Sequence, residues 1–249
     1  MDPHFLAAEA QRLHAIFQNA FFTMLGAFLV LAVVMEFLKL PLGNTPGFTT
    51  LIGRCLVATL LLIALPEIMN FVADATDSIA KEIGDLNNFR LVLSRLGERL
   101  TDLSFSWTSL RDVVTISISF LSFFALYITV YFAEAAFLYC WTLIYVFSPL
   151  VMALYVFPQT AGAVGALFRS MLEVSLWKVT WACMAALLWS TALSNINKSE
   201  SQINWLTSIV LNLMLMISVL LTPKVVRAIL SGGIGELAGS AQSAVMAAL

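Results

Sequence analysis

From Val113 to Phe168 the chain runs 56 residues with a single charged side chain, Glu134. At a helical rise of ~1.5 Å per residue this stretch would cross a ~30 Å hydrocarbon core twice with residues to spare. No soluble domain of this size hides so long an apolar run. Tyr127, Tyr131, Tyr139, Trp141, Tyr145 and Tyr155 lie inside it among small residues, and Pro149 and Pro158 fall towards its end. The stretch accommodates two spans, about Val113 to Ala133 and Ala135 to Phe157. Alternatively, the first continues as one unusually long helix to Val146, and Ser148-Pro149 breaks it. In either case Pro149 removes a backbone donor and its ring displaces the carbonyl of Tyr145, which predicts a kink.

Composition extends this conclusion to the whole chain. Of the 249 residues 60% are hydrophobic and 11% charged, with a mean hydropathy of +0.92, against roughly 25% charged in soluble domains. The expected fold is all-α: a polytopic transmembrane helical bundle with five or six spans and one amphipathic extramembrane helical segment. Such a chain has no room for a separate catalytic domain. The net charge of −2 carries little information, because the placement of Lys and Arg matters more than their sum.

Five segments are expected along the chain. Leu6, Ala10, Leu13, Phe17 and Ala20 recur at steps of four and three after Asp2-Pro3, which predicts a short amphipathic helix over residues 1–19 leading into the membrane, either an interfacial anchor or a docking helix. Residues 20–73 hold two spans, Ala20 to Leu38 and Leu51 to Val72, separated by a loop rich in proline and glycine. The first reads as a retained span rather than a cleaved signal. The second is interrupted by Arg54 and Glu67, so it crosses only if Arg54 snorkels and Glu67 lies near the other end or inside the bundle. Residues 74–112 form the polar segment. Residues 113–222 form the main membrane region, with further spans about Met171 to Leu193 and Ile203 to Leu221. Residues 223–249 form a tail rich in small residues.

Within the polar segment Leu86, Phe89, Leu93, Leu96, Leu100 and Leu103 follow one another at alternating steps of three and four. So narrow an a/d stripe calls for another helix, either from the chain's own bundle or from a neighbouring subunit, unless the segment lies flat on the lipid surface. Gly162 and Gly165, with Ala161 and Ala166, make small-xxx-small pairs that let helix backbones approach closely in a membrane. Two ionisable residues are candidates for an intramembrane role: Glu134, unless two spans meet there and place it in a turn, and Lys178, unless it snorkels. Arg169 and Glu173 are spaced to pair at i, i+4.

No catalytic constellation, CxxC, HExxH, Walker A or GxGxxG spacing is present. Cys55, Cys140 and Cys183 are far apart and apolar in context, and His4 and His14 both lie near the N-terminus. The expectation is therefore a non-enzymatic protein without catalytic, metal or cofactor residues, whose energy source and nucleic-acid contacts belong to partners.

The block Tyr145-Val146-Phe147-Ser148-Pro149-Leu150 through Phe157-Pro158-Gln159-Thr160, the Gly/Ala-rich turn, Phe168-Arg169 and the Trp-rich span after it resemble the central region of the VirB6/TrbL family. Pro223-Lys224-Val225-Val226-Arg227 with its glycine-rich tail is similar to the way such subunits leave their last span. The resemblance covers about Val113 to Gly239. It implies a multi-pass subunit of the bacterial inner (cytoplasmic) membrane in a type IV secretion or conjugation machine. Such a subunit would contact membrane lipid, form a homo-oligomer and work beside other secretion-system subunits, including pilin and scaffold proteins. Nucleic acid would reach it only as nucleoprotein cargo. Against that pattern, the chain is expected to lack the long C-terminal soluble extension of larger members, which leaves cargo gating by such an extension unsupported. A small channel or secondary transporter is the competing reading. The positive-inside rule applied to six spans puts both termini and residues 74–112 in the cytoplasm, whereas the resemblance implies a periplasmic N-terminus and five spans.

Overall fold

A computed structural model describes residues 3–39, 47–84, 110–196 and 205–232. Among these residues five α-helices follow in order: α1 (Pro3–Lys39), α2 (Phe48–Gly84), α3 (Leu110–Ala153), α4 (Gly162–Ile196) and α5 (Trp205–Ser231), with a 3-10 turn (Leu154–Val156) after α3. No strand occurs among the described residues, so the chain is all-α.

Helix ends follow local chemistry. α1 opens at Pro3, whose fixed φ and missing N–H suit a first turn. At the start of α2 the Gly47 N–H donates to the Glu36 carboxylate (2.9 Å), and the Gly47 carbonyl accepts the Leu51 N–H (3.2 Å). An anion is favoured at that position, where unsatisfied amides and the helix dipole point. α5 ends at Gly232, whose φ of +74° is the left-handed conformation that a glycine adopts without strain. Pro66, Pro149 and Pro223 all lie inside helices rather than at their ends.

The chain divides into two compact units. The first comprises Met1–Ala73 and Leu138–Val174, the second Asp74–Phe137 and Ser175–Leu249. In the first, α1, α2, α3 and α4 meet around Phe21, Leu62, Leu65, Met69, Met152, Leu167 and Met171, and a smaller cluster joins Ala32, Leu51 and Val156. In the second, Leu126, Phe137, Trp177, Trp181, Leu215 and Val219 are buried, with the Phe137 and Trp181 rings 6.3 Å apart.

Among the described residues four helical stretches are long and apolar enough to cross a membrane: Ala7–Leu38, Phe48–Gly84, Phe120–Val156 and Ile209–Ser231. Large apolar side chains face outward on each of them, among them Leu38, Leu60, Phe71, Phe132 and Met214. Such extensive apolar surface is stable in lipid and not in water. The chain is a membrane protein.

That number leaves the expected five or six spans unconfirmed, and two regions bear on it. First, α3 is one helix through Ala133-Glu134-Ala135; alanine and glutamate are strong helix formers, and a charge alone does not end a helix. Of the two alternatives between Val113 and Phe157, the single long helix therefore holds rather than two spans, and it passes Val146 and Pro149 to end at Ala153. Second, the stretch expected to span from Met171 is part of α4 and is not among the four.

Candidate functional site

Apolar helices must satisfy every polar group internally, so the polar contacts among them locate the candidate site. In the first unit they gather where Pro149 interrupts the hydrogen-bond ladder of α3. Proline has no N–H to offer the carbonyl four residues back, which belongs to Tyr145. That oxygen instead accepts from His14 Nδ1 of α1 at 2.8 Å and from Ser148 Oγ at 2.8 Å. Because a carbonyl only accepts, the proton lies on Nδ1 of His14. The imidazole is buried, 6% exposed, and stacks on the Tyr145 ring with centroids 4.1 Å apart. A second backbone carbonyl, that of Tyr155 within the 3-10 turn, accepts from Arg54 Nη1 at 3.4 Å, and the guanidinium lies 5.5 Å from the Tyr155 ring centroid.

The second unit uses opposite charges. Lys178 Nζ of α4 lies 2.7 Å from Asp77 Oδ1 of α2 and 4.7 Å from the Phe137 ring centroid. Their side chains are 26% and 41% exposed, so the pair is only partly shielded. Trp177 and Trp181 are buried on the same helix, and neither indole N–H finds an acceptor among the described residues. A narrow cleft beside them is lined by Val130, Ala133, Glu134, Trp181, Leu215 and Val219. It is apolar except for Glu134, which is half-buried in mid-helix rather than in a turn.

Of the residues singled out from sequence, Lys178 has a partner after all, in Asp77, which lies 101 positions earlier. Gly162 and Gly165 are exposed on α4, and a Cβ at either would meet nothing within 4 Å. None of the described helices therefore approaches them. Leu86, Phe89, Leu93, Leu96, Leu100 and Leu103 lie outside the described residues. Sequence reasoning missed Asp77, absorbed there into the polar segment although α2 continues through it to Gly84. It also missed His14, read as part of an amphipathic anchor. The signal for His14 was the orphaned carbonyl that Pro149 must create.

Among the described residues no group of three or more His, Cys, Asp or Glu side chains could hold a metal ion. No family model, no curated protein and no solved structure matches the chain.

Proposed function

We propose that this chain is an integral inner-membrane subunit of a type IV secretion machine, serving conjugation or effector translocation. In this reading it oligomerises to form part of the substrate route and supports pilus assembly beside pilin and scaffold subunits. The observation that carries the proposal is the Tyr145–Thr160 block, the core of the resemblance to the VirB6/TrbL family. That block holds α1 through the Tyr145 carbonyl and Arg54 through the Tyr155 carbonyl. It then turns the chain into α4 through hydrogen bonds from Thr160 N to Phe157 O (3.2 Å) and from Ala163 N to Thr160 O (2.9 Å). The segment on which the resemblance rests is thus also the one that organises the first unit.

The subunit performs no chemistry of its own in this reading. It supplies membrane-embedded wall, and its partners supply energy and cargo recognition. Deleting the chain from its host should abolish transfer while the remaining envelope subunits persist, and a tagged copy should copurify with them. A tagged chain that purifies alone, from cells whose transfer is unaffected by the deletion, would refute the proposal.

The Asp77–Lys178 pair favours a second reading, a small channel or secondary transporter, because a relay through Lys178 requires a carboxylate within reach. Purified chain in proteoliposomes distinguishes the two. Ion or solute flux that disappears in Asp77→Asn supports the transporter, and tight vesicles speak against it.

A further inference from the structure

We infer that the outward face of α2 around Glu67 packs against the small-residue face of α4 around Arg169 in a second copy of this chain, with the two charges paired near the middle of the membrane. The inference rests on the assembly part of the proposed function and requires nothing about cargo.

Glu67 is the only charged residue among the nineteen between Arg54 and Asp74. As helix they measure about 28 Å, one hydrocarbon core, and Glu67 lies about 4.5 Å past their midpoint. The side chain is exposed, on the side of α2 opposite the buried Leu62, Leu65 and Met69. It has no hydrogen-bond or ion-pair partner among the described residues. Arg169 mirrors it: exposed, opposite the buried Val164, Leu167 and Met171, and likewise without a partner among the described residues. A charge facing lipid near the bilayer centre is costly, and here two of opposite sign face outward together.

Their depths match. Leu62, Leu65 and Met69 share one buried cluster with Val164, Leu167 and Met171, and the two sets repeat the same spacing 102 positions apart. Further along, α2 and α4 keep nearly the same register, with Asp77 bonded to Lys178 and Ala186 Cβ 3.9 Å from a Cβ built on Gly84. The two helices are therefore parallel neighbours in which an offset of 102 marks equal height. That offset relates Glu67 to Arg169, Ile63 to Gly165 and Leu60 to Gly162.

Copies in a cyclic assembly are related by rotation about the membrane normal, which preserves height. Only residues at equal height can then meet across the interface. At each level one face offers what the other lacks: exposed Leu60 and Ile63 stand level with glycines that have open space above them, and a carboxylate stands level with a guanidinium. Glycine lets the helices approach closely, and arginine binds carboxylate through two parallel N–H groups.

The test uses the full chain in its native membrane, with Cys55, Cys140 and Cys183 replaced by serine and with Ile63→Cys and Gly165→Cys introduced as a reporter pair. Oxidation should produce intermolecular cross-links. Glu67→Arg or Arg169→Glu alone should reduce cross-linking about tenfold, as for other desolvated interfacial charge pairs, and the double reversal should restore it. Resistance to alkaline extraction confirms insertion of every variant. Single reversals without effect, or a double reversal that fails to restore cross-linking, would overturn the inference. Native mass spectrometry separates the two levels of failure. A wild-type oligomer without cross-links defeats this interface alone, whereas a wild-type monomer defeats the assembly reading as well.

Discussion

The two units meet the same requirement, keeping polar groups satisfied within apolar helices, by different means. The first keeps its contacts close to the backbone: a proline frees one carbonyl, a 3-10 turn presents another, and His14 and Arg54 take them up. The second joins two charged side chains, Asp77 and Lys178, and leaves two indole N–H groups without acceptors among the described residues. A carbonyl–donor contact removes no full charge pair from water, so it suits a well-packed interior. An ion pair costs desolvation on both sides and is better tolerated where, as at Lys178 and Asp77, the side chains remain partly exposed. The first unit should therefore respond mainly to changes in packing, and the second mainly to changes in charge.

The largest expected effect is that of Leu65→Ala, which empties a fully buried position of the first cluster and should cost about 2–5 kcal/mol. Thermal unfolding in mild detergent measures it. The same truncation at Leu215 should cost less, and equal losses would erase the distinction between the units. Next, Asp77→Leu strands the Lys178 ammonium. The cost should be about 2 kcal/mol, below the range for fully buried pairs because both side chains are partly exposed. Adding Lys178→Met should recover most of it, and a double mutant no more stable than Asp77→Leu would show that the pair is not the source of the loss. His14→Ala should cost about 1 kcal/mol through its hydrogen bond and stacking. In a Pro149→Ala background, where the restored backbone N–H can reach the Tyr145 carbonyl, the cost should shrink. A double-mutant cycle reports that coupling. Smallest, Phe137→Leu removes the ring under Lys178 at about 0.5 kcal/mol and should leave the first unit's stability unchanged.

Much of this architecture was legible in the sequence because apolar runs in a chain this poor in charge admit only helices. The errors lay where a local cue was given more weight than it carries. Glu134 suggested a turn, but it sits among alanines with no glycine or proline nearby, and the helix continues. The second expected span, by contrast, holds despite Arg54 and Glu67: Arg54 sits beside Tyr155, and α2 runs on past Val72 to Gly84. Arg169 and Glu173 had the spacing of an ion pair, but a surface pair of this kind contributes only tenths of a kcal/mol, too little to fix the arginine. Contacts between distant segments, Asp77 with Lys178 and His14 with Tyr145, leave no trace in periodicity, because they exist only once the helices pack.

The His14–Tyr145 contact also has a timetable. Its two partners are separated by 131 residues of chain. At ~5–20 residues per second of synthesis, roughly ten seconds pass between the emergence of the imidazole and that of the carbonyl that receives it. For that interval α1 waits at the membrane with an unanswered polar group about two turns before Phe21-Phe22. α1, made before the other described helices, is therefore among the last of them to be locked, and the Pro149 region acts as the late clasp of its biogenesis.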